Sequence, residues 1–151
     1  MRTIRLLIAN AWLILAALSF SAVTARADTY SWTNLQSDIA GVAAHIDPNL
    51  VNPWGVAVPS PNGPIWVSDN GTGVSTLYHP DGTAFSLVVT IPTSARNKDG
   101  GNPTGVVFNG TPFFEVTKNG NSQPSLFIFV SEDGSISGWN PALDQTQRSS
   151  R

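Results

Sequence analysis

The chain has 151 residues, of which 41% are hydrophobic and 12% are charged, with no cysteine and a formal charge of −2 at pH 7. This balance argues against nucleic acid as a partner, because phosphate groups require a clustered basic surface. No disulfide is available, so the fold must be stabilised by the burial of apolar surface.

The N-terminus has the pattern of a signal peptide in residues 1–27. Arg2 and Arg5 supply a positive start, an apolar run follows, and Ala25-Arg26-Ala27 has the small-x-small form of a cleavage site. We predict cleavage after Ala27 and a secreted or periplasmic location, without stable membrane insertion. An uncleaved anchor is the alternative, since the run is just long enough to cross a bilayer. Cleavage removes three of the eight basic residues and none of the ten acidic ones, which leaves a formal charge of −5.

The rest of the chain is predicted to be all-β. Short runs rich in β-branched and aromatic residues occupy 65–69, 74–79 and 85–91, and turn sequences such as DNGTG and HPDGT separate them. Asn-Gly and Asp-Gly pairs supply the positive φ angles that tight turns require. Runs of this length with turns between them indicate consecutive antiparallel strands.

Two stretches of the sequence occur twice. NPWGV at 52–56 returns as NPTGV at 102–106, and VSDNG at 67–71 resembles VSEDG at 130–134. The second spacing exceeds the first, which leaves room for an inserted hairpin that begins with FFEVT and continues through KNGNSQ. Repeats of about 40 to 50 residues with four strands each are typical of β-propellers.

The repeat therefore predicts a partial β-propeller with about two four-stranded antiparallel blades. The first blade covers 52–101, and the second blade, with its inserted hairpin, covers 102–143. A lead-in segment at 28–51 precedes the blades, and an unstructured tail at 144–151 follows them.

The repeated residues have predicted structural roles. The Asn-Pro pair before each blade predicts an extended entry, because proline restrains the residue before it. Gly55 and Gly105 predict close approach between inner strands, where a side chain would not fit. Six aromatic residues are expected to pack between the blades: Trp54, Trp66, Phe108, Phe127, Phe129 and Trp139.

The ordered motifs PWGVAV, IWVSDNG and VSTLY resemble the NHL-type propeller repeat. Over about residues 34–143, the chain more closely resembles a family of exported bacterial proteins of unknown function, whose members are several hundred residues long. The resemblance implies that this chain is an N-terminal fragment of such a protein. It carries over no catalytic or binding residue.

Four polar residues at the predicted hairpin corners are candidates for a Ca²⁺ site, because hard cations prefer carboxylate and amide oxygens. Across the repeat, Asp69 matches Glu132 and Asn70 matches Asp133, which favours a structural role in the turns. The four candidates are Asp69, Asn70, Glu132 and Asp133.

The sequence predicts no catalytic residue and no cofactor. GSISG at 134–138 differs from the hydrolase elbow because Ile136 stands where the nucleophilic serine belongs. His45 and His79 lie in the lead-in segment and in a turn. The unrepeated polar residues form no recognisable constellation; they are Arg96, Lys98, Glu115 and Lys118.

These observations favour an exported propeller-type binding or interaction scaffold with an unknown ligand or protein partner. A metal-dependent hydrolase of the sugar-lactone type is an alternative that rests on fold analogy, and an inactive truncated gene product is another. Two blades leave outer faces uncovered, which predicts self-association or further C-terminal blades.

Export is testable by mass spectrometry of the protein recovered outside the cytoplasm. We expect Asp28 as the first residue, because the small-x-small site ends at Ala27. An intact Met1 in the membrane fraction would contradict the prediction and support the uncleaved anchor.

Overall fold

The computed structural model describes residues 29–94 and 101–143. The predicted signal peptide and the predicted tail lie outside the described residues. The chain divides into two compact units, Met1–Trp32 and Thr33–Arg151. The second unit contains all of the strands described below.

The described ranges contain strands and no helix, which confirms the all-β prediction. The strands are β1 (Gln36–Ser37), β2 (His45–Ile46), β3 (Pro53–Ala57), β4 (Ile65–Asp69), β5 (Val74–Tyr78), β6 (Ala84–Thr90), β7 (Pro103–Phe108), β8 (Glu115–Lys118), β9 (Asn121–Pro124), β10 (Phe127–Ser131) and β11 (Ile136–Trp139).

The first sheet has four antiparallel strands in chain order, β3-β4-β5-β6. Its turns follow the predicted chemistry, since Gly73 and Gly82 have φ angles of 71° and 91°. In the β5–β6 turn, the Asp81 carboxylate accepts hydrogen bonds from the backbone N–H and the hydroxyl of Thr83. Short connections between neighbouring strands therefore build this sheet from local contacts.

The second sheet contains β7, β10 and β11 in the order β11-β10-β7. The inserted segment forms a separate antiparallel pair, β8–β9, between β7 and β10. Four strands were predicted here, and the described residues supply three; after β11 they contain Asn140 and a turn at 141–143.

The core lies between the two sheets and combines four aromatic side chains with four aliphatic ones. Trp66 of β4 stacks on Phe127 of β10 with ring centroids 3.9 Å apart. Phe129 and Trp139 contact the same indole ring, at centroid distances of 6.4 and 5.0 Å. All four side chains are buried, as the sequence predicted. Burial of large rings of this kind is the main stabilising contribution of such an interface.

Two of the six predicted core aromatics behave differently. Trp54 is 56% exposed, because it directly precedes Gly55 in β3 and successive side chains of a strand point to opposite faces. The prediction for Trp54 was therefore wrong. Phe108 is 41% exposed and makes an edge contact with the ring of Phe127.

The first strands of the two sheets in chain order are β3 and β7, which we call the inner strands. They approach each other closely at Gly55. A Cβ atom added there would lie 2.8 Å from the carbonyl oxygen of Thr104 and 2.9 Å from the Cα atom of Gly105. The predicted close approach is confirmed at this position. The Gly105 backbone takes part in this approach, but the expectation that a side chain would not fit at Gly105 was wrong, because a Cβ added there would meet none of the described atoms within 4 Å.

The lead-in segment lies against the first sheet. The hydroxyl of Tyr78 donates a 3.0 Å hydrogen bond to the Asp47 carboxylate, and the side-chain amide of Gln36 donates to the carbonyl of Gly82. The backbone N–H of Gly71 donates to the carbonyl of Val51. These bonds hold residues 35–51 against β5 and the neighbouring turns.

The substitution Gly55→Val tests the close approach of β3 and β7. A side chain at Gly55 would overlap backbone atoms that have no room to move, so the free energy of unfolding should fall by about 1–3 kcal/mol. Gly110→Val is the matched control, because a Cβ there would meet only a ring atom of Phe108 at 3.4 Å. Chemical denaturation measures both variants, and equal losses of stability would contradict the close approach.

Candidate functional site

A polar cluster, the corner network, joins the two sheets where the inner strands begin. The side-chain amide of Asn52 donates to the Asn70 side-chain oxygen at 3.1 Å. The Asn70 amide in turn donates to a Glu132 carboxylate oxygen at 2.7 Å, and the Asn102 amide donates to the Asn70 backbone carbonyl. Two of the four predicted candidate residues, Asn70 and Glu132, are therefore in direct contact.

The same network corrects the sequence alignment of the two repeats. The backbone N–H groups of Asn70 and Glu132 donate to the carbonyls of Asn52 and Asn102, respectively. Asn70 and Glu132 therefore occupy equivalent positions, whereas the sequence pattern matched Asn70 with Asp133. The reason is the length of the turn. Asp69 pairs with Val74, so residues 70–73 connect the paired positions of β4 and β5. In the second sheet the Ser131 N–H donates to the Ser135 carbonyl, so only residues 132–134 connect the paired positions.

Both inner strands are preceded by an asparagine in a left-handed conformation. The φ angles are 50° at Asn52 and 33° at Asn102, so the predicted extended entry was wrong. Asparagine is one of the few residues with a side chain that adopt this region readily. Here its amide side chain is also used, because each of the two amides bonds to Asn70.

Asp69 is fully buried in the first sheet. One carboxylate oxygen accepts hydrogen bonds from the backbone N–H of Thr76 at 3.1 Å and from its hydroxyl at 2.8 Å. The other oxygen, Oδ1, has no hydrogen-bond partner among the described residues. Burial raises the pKa of Asp69 to about 7, the two bonds from Thr76 act in the opposite direction, and nearby Asp47 adds to the rise.

Asp133 has a different environment at the surface. Its carboxylate accepts hydrogen bonds from the hydroxyl and backbone N–H of Ser135 and from the backbone N–H of Ser94. The Ser135 hydroxyl, its backbone N–H and then Ser94 hold the pKa of Asp133 well below its ordinary value. This pattern is that of a turn carboxylate that also fixes the segment after β6.

The four candidate ligands therefore do not converge on one point. Asp69 bonds within its own sheet, Asn70 and Glu132 bond to each other, and Asp133 bonds to the two serines. In the ranges that the structure describes, no group of three or more His, Cys, Asp or Glu side chains is placed to hold a metal ion.

A groove of about 690 Å³ lies beside β11, between the end of β6 and strand β8. We call it the β11 groove. Its apolar lining includes Ile91, Val116, Phe129 and Trp139. Strand β11 forms one wall and pairs only with β10 among the described strands, so its other edge faces the groove.

Two of the unrepeated polar residues, Glu115 and Lys118, line the β11 groove. The other two, Arg96 and Lys98, lie outside the described residues. Phe114 also lines the groove and has a φ angle of 60°. Such an angle is strained for a bulky residue, and strained backbone often occurs at functional sites. The sequence indicated an inserted hairpin here, but no sequence signal predicted that it would face β11 across a groove.

Comparison with known proteins shows two related viral sequences. No family model and no solved structure matches the chain. It is 32% identical over 116 residues to an uncharacterized protein of Acanthamoeba polyphaga mimivirus, covering 77% of this chain and 28% of that protein. A second uncharacterized mimivirus protein is 32% identical over 103 residues, with 68% and 26% covered. The chain thus spans about a quarter of the length of the curated relatives it matches.

The names of these relatives indicate no function. The resemblance to exported bacterial proteins with NHL-type repeats and the extracytoplasmic location therefore stay predictions. Across the described ranges, no helix is long and apolar enough to cross a membrane.

The variant Asp69→Asn tests the effect of the buried carboxyl group on stability. Because folding raises the pKa of Asp69 from 3.8 to about 7, the native state favours the protonated form. The stability that this group contributes is fully present below pH 3.8 and is lost as the pH rises to about 7. The asparagine variant does not titrate, so it should gain stability relative to the wild type by on the order of 2 kcal/mol between about pH 5 and pH 8.

Denaturant titrations at several pH values measure this difference. The control is Asp81→Asn, because Asp81 is exposed and its pKa is lowered by Thr83, so that group is already ionised throughout this range. A pH-independent difference between wild type and Asp69→Asn would contradict the raised pKa.

Proposed function

We propose that this chain is an exported propeller-type binding scaffold that holds an extended segment of a partner protein in the β11 groove. The observation that carries the proposal is the edge of β11, which faces a groove with both apolar and polar walls instead of another described strand. Backbone N–H and C=O groups at a sheet edge accept an added strand, and neighbouring pockets select its side chains.

The repeat supports the propeller-type arrangement. Gly55 pairs with Ser68 in the first sheet, and Gly105 pairs with Val130 in the second. In both sheets the inner strand begins after a left-handed asparagine. Two units with one design, packed through their inner strands, correspond to neighbouring blades of a propeller.

The first sheet indicates what fits beside β11. There, β4 and β5 correspond to β10 and β11 of the second sheet. Strand β6 pairs along the outer side of β5, with Val74 opposite Thr90 and Ser75 opposite Val89. Strand β11 holds the position of β5 in the second sheet, and the described residues place no strand on its outer side. An extended segment would occupy in the second sheet the place that β6 occupies in the first.

The lining defines the chemistry of that segment. Val116 and Trp139 offer apolar contacts inside the groove, while Glu115 and Lys118 place charges of both signs along β8. We infer a partner segment in which apolar and polar residues alternate, because alternate side chains of an added strand point to opposite faces. Phe114, whose backbone has a left-handed conformation, also lines the β11 groove.

A peptide with the sequence of β6, AFSLVVT, is the probe for this function. Fluorescence anisotropy of the labelled peptide should show saturable binding, and a scrambled peptide of equal composition should bind at least about tenfold more weakly. Val116→Asp should weaken binding, because it places a charge in the apolar part of the groove.

Ser122→Asp is the matched control, since it adds the same charge to the same hairpin at an exposed position outside the groove lining. Binding that is equal for both peptides, or equal for the two variants, would contradict the proposed function. No specific observation favours a metal-dependent hydrolase, because Asp69, Glu132 and Asp133 bond to separate partners.

A further inference from the structure

We propose that a second copy of this chain docks head to tail on the outer face of the second sheet, beside Gly105. The inference rests on the propeller-type arrangement proposed above and adds the partner and its contact surface. The Gly105 face consists of Gly105, Val107, Val130 and Ile136. The Val56 face of the second copy consists of Trp54, Val56 and Val58.

The contact between β3 and β7 within one chain shows which surfaces fit each other. Strand β7 reaches Gly55 so closely that an added Cβ would lie 2.9 Å from the backbone nitrogen of Val106. Val106 belongs to the core between the sheets and is 6% exposed. The glycine of one inner strand therefore receives the next inner strand, and the valine after the second glycine is buried by that contact.

The Gly105 face repeats the receiving half of this interface. Gly105 stands where Gly55 stands in the first sheet, yet an added Cβ meets no described atom within 4 Å. Val130 pairs with Gly105, and Ile136 pairs with Val130, so these residues form one row across the sheet. Val107, Val130 and Ile136 are 56%, 41% and 60% exposed.

The Val56 face repeats the other half of the β3–β7 interface, the half to which Val106 belongs. Val56 follows Gly55 as Val106 follows Gly105, but Val56 is 61% exposed whereas Val106 is buried. Trp54 and Val58, two residues to either side of Val56, are 56% and 48% exposed. Neither face contains a charged residue, so docking would bury apolar surface without the desolvation of an ion.

The lead-in segment limits where the second copy can sit. Leu35 and Leu50 line a small cavity together with Ile65 and Val67 of β4, so part of the outer face of the first sheet is already covered. Strand β3 lies outside that cover, as the exposure of Val56 shows. The contact with a second copy is therefore centred on β3.

The two faces differ, which makes the interface heterologous. A heterologous contact closes into a ring when the rotation between copies permits it. Propellers close with about four to eight blades, so the two repeats that the structure describes would require about two to four copies for a closed ring.

Light scattering coupled to size-exclusion chromatography tests this assembly on the exported protein. We expect a discrete oligomer of about two to four copies. Gly105→Val should raise the dissociation constant at least about tenfold, while circular dichroism shows an unchanged β spectrum, because a Cβ added at Gly105 meets no described atom within 4 Å. A monomeric wild type, or an oligomer insensitive to Gly105→Val, would overturn the proposal.

Mixing two variants tests the head-to-tail geometry. Val56→Asp should also be monomeric, because it places a charge in the opposite half of the interface. An equimolar mixture of Gly105→Val and Val56→Asp retains one intact pair of faces and should form a one-to-one dimer and nothing larger. A Val56→Asp variant that still associates alone would overturn the proposal in favour of contact between two Gly105 faces.

The monomeric Gly105→Val variant separates this inference from the proposed function. If it still binds the β6 peptide, both stand, because the β11 groove lies within one chain and its lining shares Ile136, but not Gly105, with the Gly105 face. A wild type that assembles but does not bind the peptide would contradict the groove function alone. Peptide binding by a wild-type monomer overturns the second-copy interface alone.

Discussion

The backbone contact between β3 and β7 at Gly55 is the constraint on which the rest of the second compact unit depends. Only a residue without a side chain allows the Thr104 carbonyl and the Gly105 Cα atom into this space. With the inner strands at that distance, Trp66 reaches Phe127 across the interface and stacks on it. The aromatic core therefore follows from a glycine that contributes no apolar surface of its own.

The same contact aligns the polar ends of the two sheets. The bond from the Asn70 amide to Glu132 links a corner of each sheet, and the bond from Asn102 to the Asn70 carbonyl reinforces it. Hydrogen bonds to an ionised group are among the stronger ones in proteins. The corner network thus fixes one edge of the interface while the aromatic rings fill its interior. Two of the four candidate ligands, Asn70 and Glu132, belong to that network.

Local sequence signals predicted the strands, the turns, the close approach at Gly55 and the burial of Trp66. These features depend on residue type and on contacts between neighbouring strands. The equivalence of Asn70 with Glu132 was missed because matching letters takes no account of a turn that is one residue shorter. The β11 groove was missed because it arises where β6, β8 and β11 meet, and these strands are far apart in the sequence.

The order of strands along the chain has a consequence for folding kinetics. Each neighbour pair in the first sheet is joined by a short turn, so the sheet forms through contacts of low sequence separation. The contact of Trp66 with Phe127 instead closes a loop that contains the whole remainder of that sheet and the β8–β9 hairpin. Contacts that close long loops carry a greater entropic cost and form late. We therefore expect the docking of the two sheets through their aromatic faces to be a late step in folding.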